Sequence, residues 1–367
     1  MNSFRHAAAL WFLAAVLFSV PARAETVIGI AGPMSGEFAA FGAQMRAGAE
    51  MAAADLNAAG GVLGEPLVLE FGDDACEAEK ATALANQMIG REAVFVVGHF
   101  CFGASMAASE VYAGQQIVQM SPATTLPRFT DGRPGPGIYR LAPRDDEQAP
   151  VAGRFLAETY QGQRIAIVHD RTAYGKGLAD AVKAVMNGLG QTEVLYTGVD
   201  GGQPDYSALV TQLQLEGVEV LFFGGYHLEA AAIVADLSER GLNTVLVSGD
   251  ALATDEFWAL AGPAGEGALL ILPPDPRLFP DAKGIVDRLA DAETPAGGYD
   301  LRTYAAIQVF AQAAEAAGSL EHGALVSALD SGTFDTVIGP VSFDDNGDMT
   351  LPGFIVYEWR GGTYQPR

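Results

Sequence analysis

Basic residues are scarce in this chain: 21 Lys and Arg stand against 45 Asp and Glu, a formal charge of −24 over 367 residues. A surface this acidic repels nucleic acid and anionic lipid, so neither is an expected partner. Cysteine is scarcer still, with Cys76 and Cys101 the only two. Beyond residue 24 no stretch reaches the roughly 20 apolar residues of a bilayer span without meeting charge, Gly or Pro. No H-E-x-x-H, G-x-S-x-G or P-loop pattern occurs. Gly29-Ile30-Ala31-Gly32-Pro33 fails the dinucleotide fingerprint, because Pro33 removes a backbone N–H that such a loop needs. No cofactor is therefore expected, and no enzymatic activity.

What is present begins with an export signal. A basic start with Arg5, an apolar run over 7–20 and the small-residue pattern Ala22-Arg23-Ala24 read as a secretory signal peptide over 1–24, cleaved after Ala24. No Cys stands at that point to take a lipid. The mature chain keeps 19 basic and 45 acidic residues, since the leader holds Arg5, Arg23 and no acid. Two cysteines in an exported protein favour one disulfide, closing a loop of about 25 residues that the chain-entropy account values at roughly 3 kcal/mol. The rival is a free nucleophilic thiol, supported only by His99 two residues from Cys101.

Short apolar, β-branched runs alternate with longer Ala-rich stretches. Strands are expected near 27–32, 67–74, 93–100, 116–123, 164–170, 192–199, 218–226, 244–250 and 268–274. Helical periodicity lies between them, as at Gln44–Ala59, which stops at the cap pair Gly60-Gly61, and Tyr206–Leu215, with Asp205 as its N-cap. Tyr174-Gly175-Lys176-Gly177 lacks the glycine of a phosphate loop and reads as a helix start. Such alternation means parallel sheets covered on both faces, whose strands are apolar throughout. Nine strands exceed one sheet of this type, and the Pro- and Gly-dense segment 127–150 reads as a crossing between two lobes. Residues 342–359 read as a hairpin turning at Asp345-Asn346-Gly347. The Asp cluster there lacks the spacing and distal Glu of a calcium loop, so no metal is expected.

The segments following the strands hold the residues of interest: Cys101-Phe102-Gly103, Thr124-Thr125, Arg171 to Tyr174, His227 and Ala251. Ligands of open α/β sheets sit beyond the carboxyl ends of the strands, and two lobes facing one another there enclose a small solute. His99 and His227, at strand ends, read as residues that support such a site through hydrogen bonds.

The segments GPMSGEFAAFGAQMRAGAEMAAADLNAAGGVLGEPL (32–67), FGDDACEAEKA (71–81), VVGHFC (96–101), SPATT (121–125), IAIVHDRTAYGKGLA (165–179), FFGGYHLE (222–229) and DTVIGPVSFDDNGD (335–348) resemble the type I periplasmic binding proteins, in particular the leucine/isoleucine/valine-binding proteins of ABC importers. The resemblance runs along nearly the whole mature chain. It implies an α/β fold of two Rossmann-like lobes with parallel sheets and a three-segment hinge. The first lobe would hold 25–143 and 275–335, the second 144–274 and 336–367. It also implies a disulfide between Cys76 and Cys101, a periplasmic monomer, and delivery of a captured amino acid to permease subunits in the inner membrane.

The ligand residues that the resemblance implies are the N–H after Cys101, at Phe102, and Thr125 for a carboxylate, the carbonyl of Ala123 and Asp250 for an ammonium, and Tyr174 and Tyr226 beside them. Three positions depart from the pattern. Phe102 stands where Ser is expected, Asp250 where Glu is, and Phe41 where Tyr is usual. A more aromatic pocket either keeps an amino acid, with Phe102 turned away, or takes a small aromatic carboxylate or amide. A sensor protein of the same fold and an exported hydrolase are the alternatives of other classes. The lack of a transmembrane helix speaks against the first, and the lack of a nucleophile with its base against the second.

Overall fold

The computed structural model describes residues 25–203, 205–292, 296–350 and 353–367, so the leader and its cleavage point lie outside the described residues. Five parallel strands form the first sheet: β1 (Thr26–Gly32), β2 (Leu67–Asp73), β3 (Phe95–Gly98), β4 (Val118–Ser121) and β5 (Ile138–Arg140), in the order β2-β1-β3-β4-β5. Alternate residues serve opposite faces, as the pleat requires. Ile28, Ile30, Phe95 and Val97 face helices Ala39–Ala59 and Tyr299–Ala317, whereas Ala31 and Val96 face helices Ala78–Gly90 and Phe102–Gly114.

The second sheet repeats this winding with β6 (Ile165–His169), β7 (Leu195–Gly198), β8 (Val220–Gly224), β9 (Val245–Ser248) and β10 (Leu269–Leu272), ordered β10-β9-β8-β6-β7. After β11 (Phe334–Thr336) and β12 (Gly339–Val341), which pair with each other, β13 (Ile355–Arg360) and β14 (Thr363–Pro366) extend the second sheet antiparallel beyond β10. Helices Asp145–Thr159 and Ala173–Gly188 pack together on it. Among the described residues no helix is long and apolar enough to cross a membrane.

All nine expected strands are present, most of them shorter at both ends than their apolar runs. Two expectations need correction. The segment 127–150 is not simply a crossing: it holds the helical turn Arg128–Asp131, edge strand β5 and the start of helix Asp145–Thr159, which leaves 141–144 to pass between the sheets. The turn at 345–347 forms, with Gly347 at φ 86°, but its arms do not make a hairpin into β13. They pair with each other, through Asp344 N–H to the Asp348 carbonyl at 2.9 Å, Thr350 N–H to the Ser342 carbonyl at 3.1 Å and the bridge Phe343–Met349, while β13 pairs with β10 and β14. Val341, Phe343 and Met349 pack in the first lobe's core beside Ile28 and Phe95. The last passage to the second sheet therefore follows Met349, later than the boundary at 335/336. The apolar positions at 341, 343 and 349 decide this, because they fill the first lobe's core.

Candidate functional site

Both sheets change winding direction once, between β1 and β3 and between β6 and β8, and loops diverge there to leave a crevice. The two crevices face each other. Phe100, Cys101 and Phe102 follow β3, with Phe102 opening helix Phe102–Gly114, whose N-terminus no side chain caps. Asp170 to Tyr174 follow β6, where the Thr172 hydroxyl accepts from the Gly175 N–H as N-cap of helix Ala173–Gly188, so Tyr174 lies in a first turn, as its sequence context predicts. Tyr226 follows β8, and its N–H donates to Asp170 at 3.2 Å. Cys76 and Cys101 form a disulfide, with Cα atoms 5.3 Å apart, which ties the segment after β2 to the one after β3.

The lobes meet through rings. Phe38 and Phe41 of the first lobe lie 4.7 and 6.4 Å from Tyr226 of the second, centroid to centroid, and Phe102 meets Tyr174 edge-on at 5.6 Å. Phe41 also stacks on Phe100 at 4.5 Å and meets Tyr299 edge-on at 5.3 Å. Phe102 thus does not turn away; it forms part of the cleft wall.

The polar end is built around Asp250, which begins a short 3-10 turn after β9. Its two carboxylate oxygens accept from the Tyr174 hydroxyl at 3.0 Å and, across the cleft, the Tyr299 hydroxyl at 3.2 Å. Burial, reinforced by the Asp250 charge, pushes both phenols well above their usual range, so they remain donors. Thr125 is 1% exposed and its hydroxyl has no hydrogen-bond partner. Beside it, the Thr125 carbonyl accepts from the Asp145 N–H at 2.9 Å. Burial pushes the Asp145 carboxyl up to about 7; the nearby Thr125 hydroxyl pulls it down, and the Asp250 charge pushes it further up. One turn on, Gln148 donates to the Ile271 carbonyl at 2.6 Å, while its Oε1 and one Asp145 oxygen lack partners. Buried polar groups without partners are rare, and Thr125, Asp145 and Gln148 bring three such atoms to one cleft, which makes it the candidate place for a bound molecule.

Of the expected residues, Phe41, Phe102, Tyr174, Tyr226 and Asp250 come together here, with Thr125 and Ala123 buried on the loop after β4. The histidines stand behind them. His99 holds Asp74 at 2.5 Å and the Tyr112 hydroxyl at 3.2 Å, and its carbonyl accepts from Ser121 at 2.7 Å. His227 pairs with Glu256 at 2.9 Å and lies edge-on to Phe41 at 5.1 Å. Sequence reading missed Phe38, Phe100, Asp145, Gln148 and Tyr299. The i, i+3 spacing of Asp145 and Gln148 placed both on one helix face, but only the fold brings Tyr299 from a distant segment to Asp250.

The periplasmic binding protein family model matches residues 25–363. A Leu/Ile/Val-binding protein homologue of Brucella melitensis is 41% identical over 355 residues, covering 95% of each chain. A crystal structure of an ABC transporter substrate-binding protein from Desulfitobacterium hafniense with Leu is 27% identical, with a TM-score of 0.76 over 94% of this chain and 100% of that one. An R. palustris ABC-transporter solute-binding protein in complex with benzoate shares the fold at 18% identity, with a TM-score of 0.84 over 94% of this chain and 95% of that one. These relatives are binding proteins rather than enzymes. With two like-wound lobes closing an aromatic cleft at their switch points, the chain belongs to the type I periplasmic binding proteins, in the branched-chain amino-acid family of ABC-transporter substrate-binding proteins.

Proposed function

We propose that this protein captures a small amino acid, branched-chain or otherwise hydrophobic, between its lobes in the periplasm and delivers it to the permease of an ABC importer. The observation that carries this reading is the polarity of the cleft. A zwitterion needs donors at one end and acceptors at the other. The unpartnered Thr125 hydroxyl and the uncapped N-terminus of helix Phe102–Gly114 supply donors for a carboxylate. Asp250 and the Ala123 carbonyl supply acceptors for an ammonium, and Phe41, Phe102, Tyr174 and Tyr226 wall the space with apolar surface. The leucine bound by the Desulfitobacterium hafniense protein agrees with this class.

Phe102 favours a second reading. Its ring replaces a hydroxyl donor and packs on Tyr174, which suits a flat ligand, and the R. palustris protein of the same fold holds benzoate. A thermal-shift screen with leucine, isoleucine, valine and benzoate separates the two. A ligand at 100 times its Kd adds about 2.7 kcal/mol of stability. Stabilisation by the aliphatic amino acids supports the first reading; stabilisation by benzoate alone replaces it with the second.

A further inference from the structure

The loop carrying Thr125 is held by a residue outside the cleft. Arg140, the last residue of β5, is fully buried. Its Nη1 donates to the carbonyls of Leu126 at 2.8 Å and Thr124 at 3.2 Å, and Nη2 donates to the Thr130 hydroxyl. With the Asp145 N–H on the Thr125 carbonyl, the carbonyls of three consecutive residues, 124 to 126, are all fixed. A buried guanidinium needs a counter-charge, and Asp348 provides it, its Oδ1 lying 2.7 Å from Nε and 2.6 Å from Nη2 of Arg140. The other oxygen of Asp348 takes Arg144 Nη1 at 2.5 Å. Arg140 stands just before the first passage between the lobes and Arg144 at its end, and Asp348 comes from the segment leading to the last. Backbone bonds seat it there: Arg140 N to the Gly347 carbonyl at 3.0 Å, and Met349 N to the Arg140 carbonyl at 3.2 Å.

We propose that Arg140 and Asp348 are the positioning pair of this cleft: Arg140 sets where the Thr125 hydroxyl stands, and Asp348 ties that setting to the two passages that close the lobes. The ligand consequence rests on the reading that Thr125 meets the solute. The geometry explains the residue types. Only a planar fork reaches a carboxylate and two carbonyls together, which lysine cannot do. Only a carboxylate bridges two guanidinium groups through separate oxygens.

Hydrogen exchange on the unliganded protein tests the positioning directly. In Arg140→Lys and Asp348→Asn, the amides within 121–127, those of Ser121 and of Ala123 to Leu126, exchange about tenfold faster than in wild type, the scale of a lost charge-assisted bond. The strand 165–169 keeps its rate, and Asp131→Asn, which touches Arg144 but not Arg140, changes neither. Wild-type rates at 121–127 in both variants overturn the proposal, as does an equal rise at 165–169, which means general loosening. Titration with L-leucine adds the functional arm. Arg140→Lys weakens wild-type binding about tenfold but adds little in a Thr125→Ala background, because both act through one hydroxyl. Full additivity overturns action through Thr125. Absence of leucine binding by wild type counts against the amino-acid reading, while the exchange rates still decide the positioning.

Discussion

Asp250 carries the sharpest chemistry in the cleft because two buried phenols already point at it. On the proposed reading, an ammonium arriving there meets a carboxylate whose geometry the Tyr174 and Tyr299 hydroxyls have set. Asp250→Ala removes the acceptor of both hydroxyls, so L-leucine affinity falls roughly tenfold or more by isothermal titration. Unchanged affinity excludes binding of a zwitterion through Asp250. Asp145 reports differently, through pH. Its folded value of about 7 lies above the ordinary 3.8, so the folded state holds the proton over that window. Stability from this group is full below about 4 and is lost as pH rises through about 7. Asp145→Asn, which stays neutral, therefore matches wild type in Tm near the bottom of that window and exceeds it above the top. An equal Tm difference at both ends contradicts the assignment.

At the scale of elements, helix Ala39–Ala59 presents Phe38 and Phe41 to the cleft, and its placement depends on close approach to helix Tyr299–Ala317, which brings Tyr299. A Cβ on Gly48 would stand 2.0 Å from the Asp300 carbonyl oxygen, so only glycine lets these helices approach so nearly. Gly48→Ala costs about 1–3 kcal/mol by denaturant unfolding, the range for overpacking. It also lowers leucine affinity, because both helices carry cleft residues. A variant as stable as wild type refutes the tight crossing. The periodicity of the helix and its glycine stop were legible in the sequence, whereas its partner was not. Two Ala-rich helices pair according to where the chain returns, and residue spacing holds no record of that.

For the molecule as a whole, the proposed capture depends on contacts that exist only when the lobes are together. The Tyr299 hydroxyl on Asp250 is one that crosses the cleft by a hydrogen bond to a charge. Tyr299→Phe keeps the ring against Phe41 and Phe100 but deletes that bond. The equilibrium shifts toward open forms, seen as a larger radius of gyration in solution scattering without ligand and several-fold weaker leucine binding. Identical scattering and affinity would falsify a role for this bond in closure.

Alternation of apolar strands with helices was enough for the α/β class, the parallel sheets and nine strand positions, because burial on both faces writes itself as continuous apolar runs. The two cysteines were enough to anticipate one disulfide. Which strand-end residues share a cleft depended on the winding of both sheets, since facing switch points arise from strand order rather than from local pattern. The direction of Phe102, the meeting of Tyr299 with Asp250, and the seat of 336–349 in the first lobe were decided by tertiary packing. Each depends on what the distant chain leaves open, and long-range closure carries no local period.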